Sequence, residues 1–172
     1  MLRRIAIAGL LTLIIATPVV AGTRDERLGY DPGADPFVQY HSAIEQAKAE
    51  HKLVLVIAGG DWCRWCHVLN RFVTTNDDVD TALHDTFVVM KVYVGDENYN
   101  EFFFSQLPEA RGAPHFWIIA PDRNVLASQS TGAFEHGKRG YDKQEFLQFV
   151  QNWKNRAIAL SAVPEQQASL NR

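Results

Sequence analysis

Cysteine is scarce in this 172-residue sequence, which contains only Cys63 and Cys66. Proteins that rely on disulfides for stability usually close long loops with several bridges. A bridge between cysteines separated by two residues would stabilise the fold by only about 2 kcal/mol in the loop-entropy relation. A disulfide between these two cysteines would therefore stabilise the fold little. We expect the pair to take part in chemistry or in ligand binding instead.

An excess of positive charge is also missing, since 17 Lys and Arg residues face 20 Asp and Glu residues. A weakly acidic surface argues against nucleic acid as the main partner. The composition is 47% hydrophobic and 22% charged, which excludes a long disordered polymer and a polytopic membrane protein. No internal repeat is visible, so an ordinary folded domain is expected.

One long apolar stretch stands apart from the rest, and it lies at the N-terminus. Two arginines precede the apolar residues 5–16, and small residues end the stretch at Ala21. This pattern predicts a secretory signal peptide over residues 1–21. The alternative is a retained anchor, although Pro18 interrupts the stretch and its length is marginal for a membrane span. Both interpretations place the domain outside the cytoplasm, and cleavage leaves no stable membrane domain.

Signal cleavage would leave 151 residues with a formal charge of −5, enough for one domain with a sizeable core. Residues 22–35 are polar and rich in glycine, which predicts a flexible lead-in. Residues 36–160 form the predicted domain. Residues 161–172 contain Pro164 and several glutamines, which predicts a loose C-terminal tail.

The order of helical and strand patterns predicts an α/β fold with a mixed central sheet and helices on both faces. A helix over about 36–50 follows an N-cap at Asp35. Largely apolar runs at 53–58 and 87–94 predict buried strands. The remaining predicted elements are a hairpin at 115–120 and 125–130, helices at about 63–72, 77–84 and 141–158, and a helix or tight loop at 97–107.

The two cysteines lie where the first predicted strand turns into a helix. A helix N-terminus stabilises a thiolate through its free N–H groups and its dipole, so Cys63 is expected to have the lower pKa and greater exposure. Arg64 adds a positive charge beside it. Cys66 lies one turn deeper, where it can close a disulfide or resolve a mixed disulfide on Cys63. The pattern predicts thiol–disulfide exchange by a redox-active Cys63–Cys66 disulfide, without a separate cofactor.

The chain resembles the thioredoxin superfamily over about residues 36–157. The resemblance rests on W-C-x-x-C at 62–66 after an apolar strand and on the R-G-A-P loop at 111–114. The longer W-C-x-W-C-H motif at 62–67 is similar to an exported bacterial thioredoxin-like branch. The same alignment puts Lys91 in a strand near the cysteines, where it either influences their pKa or lies on the surface.

The resemblance implies a role for each motif residue. Cys63 would be the nucleophile and Cys66 the resolving thiol. Pro114 would be a cis-proline that packs against the disulfide and forms the substrate platform, to which we also assign Ala113. Trp62 and Trp65 either offer an apolar surface to a partner, in which case Trp62 belongs to the substrate-binding residues, or pack the helix onto the domain.

Two departures from the family leave the direction of electron flow open. Thioredoxins usually carry a buried aspartate six residues before the first cysteine, and this chain has Ile57 there. Proton transfer at the resolving cysteine must then use water, Asp61, His67 or Glu97. The Arg-Trp pair between the cysteines matches neither thioredoxin nor the strong periplasmic oxidase. The absence of a histidine there favours the reducing direction.

Two other functions use the same residues. Cys63, Cys66, His67 and His115 could form a soft copper or zinc site. Otherwise His115 lies on the substrate-facing rim, where it tunes the thiolate or binds nothing, and His67 is a partly exposed helix residue with at most a weak influence on the thiols. C-x-x-C-H is also the attachment motif of c-type haem, although the preceding strand and the position of Met90 within another strand count against it.

The sequence thus predicts a periplasmic thiol–disulfide oxidoreductase on the reducing side. Its partners would be exported proteins with thiols or disulfides, together with a redox partner protein. The alternative is a thioredoxin-fold module that binds a metal or a partner without turnover.

Overall fold

A four-stranded mixed sheet forms the centre of the structure, a computed structural model that describes residues 28–137 and 140–170. Its strand order is β2-β1-β3-β4, with a parallel β1–β2 pair and antiparallel β1–β3 and β3–β4 pairs. The strands are β1 Leu53–Gly59, β2 Phe87–Tyr93, β3 His115–Ile119 and β4 Val125–Ser130. The predicted α/β class and mixed sheet are confirmed.

Helices cover both faces of this sheet. They are α1 Pro36–Glu50, α2 Arg64–Thr74, α3 Asp77–Thr86, α4 Glu101–Phe104 and α5 Lys143–Leu170. After β4 come a 3-10 helix, Thr131–Phe134, and a small two-stranded sheet of β5 Glu135–His136 and β6 Gly140–Tyr141. The predicted helix or tight loop at 97–107 contains the four-residue α4.

Strand β1 is buried along its whole length because it is apolar on both faces. Leu55 and Ile57 pack into one core cluster, with side chains of α2, α3 and α5. Val54 and Val56 pack into a second cluster on the other face, with side chains of α1. Each fully buried aliphatic side chain contributes about 1.5–3 kcal/mol. This burial fixes the end of β1, from which the cysteine segment starts.

The segment before α1 differs from the predicted flexible lead-in. Leu28 and Tyr30 are only 5% and 6% exposed and belong to the same core cluster as the two cysteines. The Leu28 N–H donates to the Asp61 carboxylate at 3.1 Å, and the Leu28 carbonyl accepts from the Lys91 ammonium. Residues 28–35 therefore pack onto the domain. The composition of residues 22–35 concealed this because two apolar side chains stand among polar neighbours.

The C-terminal end also differs from the prediction. Helix α5 continues to Leu170, although a loose tail was expected after residue 160. The segment contains alanine, glutamine and glutamate, which favour helices.

The predicted signal peptide, residues 1–21, lies outside the described residues, as does the first part of the predicted lead-in, residues 22–27. Within residues 28–137 and 140–170, no helix has both the length and the apolar character needed to cross a membrane.

Replacing Tyr30 by alanine tests whether the segment before α1 belongs to the domain. Because the side chain is buried, we expect Tyr30→Ala to lower the free energy of unfolding by about 3 kcal/mol, as for other buried aromatic residues. The matched control is Tyr99→Ala, since Tyr99 is 51% exposed. Denaturant unfolding measures both, and equal losses would contradict the packing of this segment.

Candidate active site

Cys63 and Cys66 form a disulfide at the junction of β1 and α2, with their Cα atoms 5.2 Å apart. Cys63 is the N-cap residue of α2, with an extended backbone. Its sulfur accepts a hydrogen bond from the Cys66 N–H at 3.1 Å, and its carbonyl accepts from the His67 N–H at 3.2 Å. The structure therefore places the first cysteine at the helix N-terminus.

This position gives the two cysteine sulfurs different surroundings. An N–H group aimed at the Cys63 sulfur, together with the positive end of the α2 dipole, stabilises a negative charge on that atom. Cys66 lies inside the helix, one turn further on. In the disulfide both residues are buried, at 3% and 2% exposure, so the oxidised state does not show the difference in exposure predicted for the thiols.

Gly59, the last residue of β1, allows the disulfide to pack against the strand. A Cβ atom at this position would lie 2.6 Å from the Cys66 sulfur and 2.7 Å from the Tyr30 hydroxyl oxygen. Both contacts are shorter than van der Waals distance, so a side chain at residue 59 would displace one of them. The absence of a side chain at Gly59 thus leaves room for both Tyr30 and Cys66 to pack against the backbone there.

Trp62 is exposed but firmly held beside the disulfide. Its side chain is 59% exposed, and its indole N–H donates to the Val94 carbonyl at 2.7 Å. A Cβ atom at Gly60 or Gly95 would lie 2.5 or 2.6 Å from the same indole nitrogen. Two glycines thus make room for the ring, which presents an apolar surface at a fixed position. Trp65, by contrast, packs edge-to-face on Tyr141.

The loop over residues 111–114 contributes Ala113, which packs against the core cluster that contains both cysteines and lines one groove with Trp62. The Ala113–Pro114 peptide bond is cis, and the preceding Gly112 has a φ of +86°. The Pro114 carbonyl accepts a hydrogen bond from the buried Thr131 hydroxyl at 2.9 Å. Trp62 and Ala113 therefore share a groove, and Pro114 follows Ala113 in the same loop.

The charged and polar neighbours of the cysteines lie on the surface. Arg64 is the first residue of α2 and is exposed. His67 is exposed too, and its Nε2 lies 2.7 Å from the Asp61 carbonyl oxygen. This contact joins the first turn of α2 to the loop before Cys63.

His115 lies away from the thiols. Its Nε2 lies within 2.8 Å of the Ser128 hydroxyl, and its ring centre is 4.6 Å from that of Trp117. Trp117 belongs to the core cluster on the α1 side of the sheet, whereas both cysteines belong to the other cluster. Burial lowers the pKa of His115.

The residues proposed as metal ligands do not assemble. Among the residues that the structure describes, no three His, Cys, Asp or Glu side chains form a group that could hold a metal ion. Met90, considered in connection with haem, is buried in the cluster on the α1 side, away from the cysteines.

A small cavity of about 150 Å³ lies behind Cys66, at the place of the missing aspartate. Its lining includes Tyr30, Ile57, Cys66, Asn70 and Lys91. Lys91 is paired with Ile57 across β1 and β2, and its ammonium lies 5.7 Å from the centre of the Tyr30 ring. It donates to the Asn70 side-chain oxygen at 3.3 Å. A half-buried cation and a tyrosine therefore line the same cavity as Cys66.

The other predicted proton-transfer groups have different contacts. The Asp61 carboxylate accepts from the Leu28 N–H, and the Glu97 carboxylate lies 3.5 Å from the Tyr93 hydroxyl. Sequence reasoning considered Lys91 but missed Tyr30. A tyrosine among polar residues gives no periodic signal, and its contact with Gly59 exists only in the folded chain.

Lys91 should give the stability a characteristic pH dependence. Burial lowers its pKa in the folded protein below the usual 10.5. Between these two values the unfolded chain binds more protons, so the stability contribution of Lys91 rises with pH across that window. We expect Lys91→Met to remove this rise.

Denaturant unfolding of the oxidised protein at a series of pH values up to 10 measures the difference between wild type and variant. Burial raises the pKa values of Tyr30 and Tyr141, so their effect on stability begins only near the unfolded pKa of about 10, at the upper end of this range. An identical pH dependence in Lys91→Met would contradict the assignment.

Comparison with known proteins places this geometry in a family. A family model described as thioredoxin-like matches residues 35–121, about half of the chain and the part that contains the disulfide. The chain belongs to the thioredoxin-like family.

Solved structures agree with this membership. A disulphide isomerase from Xylella fastidiosa Temecula1 is 25% identical, with a TM-score of 0.61 over 72% of this chain and 95% of that one. A DsbH oxidoreductase has 19% identity and a TM-score of 0.53, covering 85% and 95% of the two chains. The second likeness shows the fold alone. None of the curated proteins matches this chain significantly in sequence.

Family membership and the paired cysteines together define the general activity. The protein is a thioredoxin-like thiol–disulfide oxidoreductase whose Cys63–Cys66 pair forms the disulfide. Because one fold serves many functions, substrate and direction have to be argued from the site itself.

Proposed function

We propose that this enzyme is exported to the periplasm, where it reduces disulfides in other exported proteins. The observation that carries the proposal is the hydrogen bond from the Cys66 N–H to the Cys63 sulfur at the start of α2. It marks Cys63 as the cysteine that the helix N-terminus activates. The exposed Trp62 and the Ala113–Pro114 loop beside it offer a surface for a partner.

The reaction begins with both cysteines reduced. The Cys63 thiolate attacks one sulfur of a partner disulfide, which forms a mixed disulfide and releases the other partner sulfur as a thiolate. The Cys66 thiol loses its proton to water, and its thiolate attacks the Cys63 sulfur. The Cys63–Cys66 disulfide forms, and the partner leaves with two thiols. A separate redox partner protein then returns two electrons to the enzyme.

The polar groups around the cavity behind Cys66 support the role of Cys66 in this reaction. The positive charge of Lys91 favours a thiolate on the resolving cysteine, as the lost proton moves to water. Lys91 would thus stabilise the charge at Cys66 in a chain that has Ile57 in place of the aspartate.

The surroundings of Cys63 support the reducing direction. A strong oxidant needs its reduced form stabilised by a very low pKa of the attacking cysteine. No histidine lies between the two cysteines, and the charge of Arg64 is exposed to water and salt, which screen it. The helix N-terminus remains the main stabilising influence, which supports a moderate rather than a strongly oxidising potential.

Single substitutions of the cysteines test the exchange reaction. We expect Cys63→Ser to abolish the reduction of insulin, because no thiolate remains at the helix N-terminus. We expect Cys66→Ser to accumulate a mixed disulfide with the substrate, since the resolving thiol is missing. Insulin turbidity and mass spectrometry of the trapped species measure the two outcomes.

The result that would contradict this mechanism is the reverse pattern, with mixed disulfides trapped by Cys63→Ser through Cys66. A wild-type protein that binds reduced partners without exchanging disulfides would instead support the alternative of a binding module.

The redox potential tests the direction. Equilibration with glutathione buffers, followed by alkylation of free thiols, gives the fraction of protein with the Cys63–Cys66 disulfide. We expect a reduction potential of about −220 mV or lower, as for glutaredoxins and thioredoxin. A reduction potential of about −120 mV, that of a strong oxidase, would contradict the reducing assignment. Cell fractionation with N-terminal sequencing tests export, for which we expect a mature chain starting at Gly22.

A further inference from the structure

A groove of about 600 Å³ adjoins the active-site surface, with which it shares Trp62 and Ala113. We call it the Trp62 groove. Its apolar walls and floor are formed by Ala58, Trp62, Val94, Phe104, Ala113 and Trp117. The volume falls in the range of sites that hold ligands of a few hundred daltons or several side chains of a peptide.

The indole N–H groups of the two tryptophans in the Trp62 groove are both bound to backbone carbonyls. The Trp62 indole N–H donates to the Val94 carbonyl at 2.7 Å, and that of Trp117 donates to the Pro108 carbonyl at 2.9 Å. Both rings are therefore fixed, and the surfaces they turn to the groove are apolar. A bulky apolar side chain is the group that such a surface recognises.

The rim of the Trp62 groove is acidic. Its charged lining residues are Glu101, in the first turn of α4, and Glu109, and both are exposed. Among the residues that the structure describes, no lysine or arginine lines the groove. Arg111 follows on the same loop but lies outside the lining. A ligand with a positive charge beyond its apolar part would complement this rim.

We propose that the Trp62 groove selects the partner of the disulfide exchange. The occupant is an extended partner segment near its reacting cysteine, with a bulky apolar side chain in the groove and a lysine or arginine facing Glu101 and Glu109. Continuity with the active-site surface argues for a protein segment, because Trp62 lines the groove and directly precedes Cys63 in the chain. This inference rests on the proposed function.

Four short peptides provide the test. Each carries one cysteine in a mixed disulfide with a chromophoric thiol, and they differ only in an apolar position (Phe or Ser) and a charged position (Lys or Glu). Reduction by the wild-type enzyme is measured as kcat/KM. We expect the Phe–Lys peptide to be reduced fastest, about five-fold faster than Phe–Glu, which is the size of effect that exposed charges give.

Charge reversal of the rim tests which residues set the preference. In the double variant Glu101→Lys, Glu109→Lys we expect the ratio of the Phe–Lys and Phe–Glu rates to invert. The matched control is Glu145→Lys, an exposed glutamate in the first turn of α5 that does not line the groove, and it should leave the ratio unchanged. Ala110→Phe places a ring at the groove and should abolish the preference for Phe over Ser.

The outcomes separate this inference from the proposed function. Rapid reduction of all four peptides at equal rates, a preference for Phe–Glu, or a ratio unchanged by the double variant would overturn the inference alone. Failure of the wild-type enzyme to reduce any peptide would overturn both. A dimer at assay concentration that dissociates in Ala110→Phe would show that a second copy of the chain occupies the groove, and would also overturn the inference.

Discussion

The hydrogen bond between the Cys66 N–H and the Cys63 sulfur is the interaction on which the rest of the site depends. It exists because β1 ends at Gly59 and α2 begins at Arg64, which leaves Cys63 as the N-cap. A thiolate at this place is stabilised by the helix itself, without a metal or a histidine. The two-sided burial of β1 fixes the position of the helix start relative to the sheet.

The two cysteines have different neighbours on the two sides of this hydrogen bond. Trp62, directly before Cys63, is exposed and shares a groove with Ala113. Tyr30 and Lys91 lie behind Cys66, at the place where thioredoxins usually carry an aspartate. Cys63 thus lies at a helix terminus next to an apolar surface, and Cys66 borders a cavity that is also lined by a cation.

Features encoded in short stretches of sequence could be predicted, and those made by distant contacts could not. The run at 53–58 and the spacing of the cysteines were sufficient for β1 and the start of α2. The burial of Tyr30 depends on a contact with Gly59, about thirty residues away in the sequence. His115 follows Pro114 directly, yet its ring lies with Trp117 because side chains alternate along β3. The Trp62 groove combines residues from β1, β3 and the segment around α4, so no single stretch of sequence could predict it.

The central claim is that the start of α2 makes Cys63 the nucleophile. The most direct measurement is alkylation of the reduced protein across a pH series, with the labelled cysteine identified by mass spectrometry. We expect Cys63 to be labelled first at mildly acidic pH, where Cys66 remains a thiol. Equal labelling of both cysteines, or labelling of Cys66 first, would contradict it.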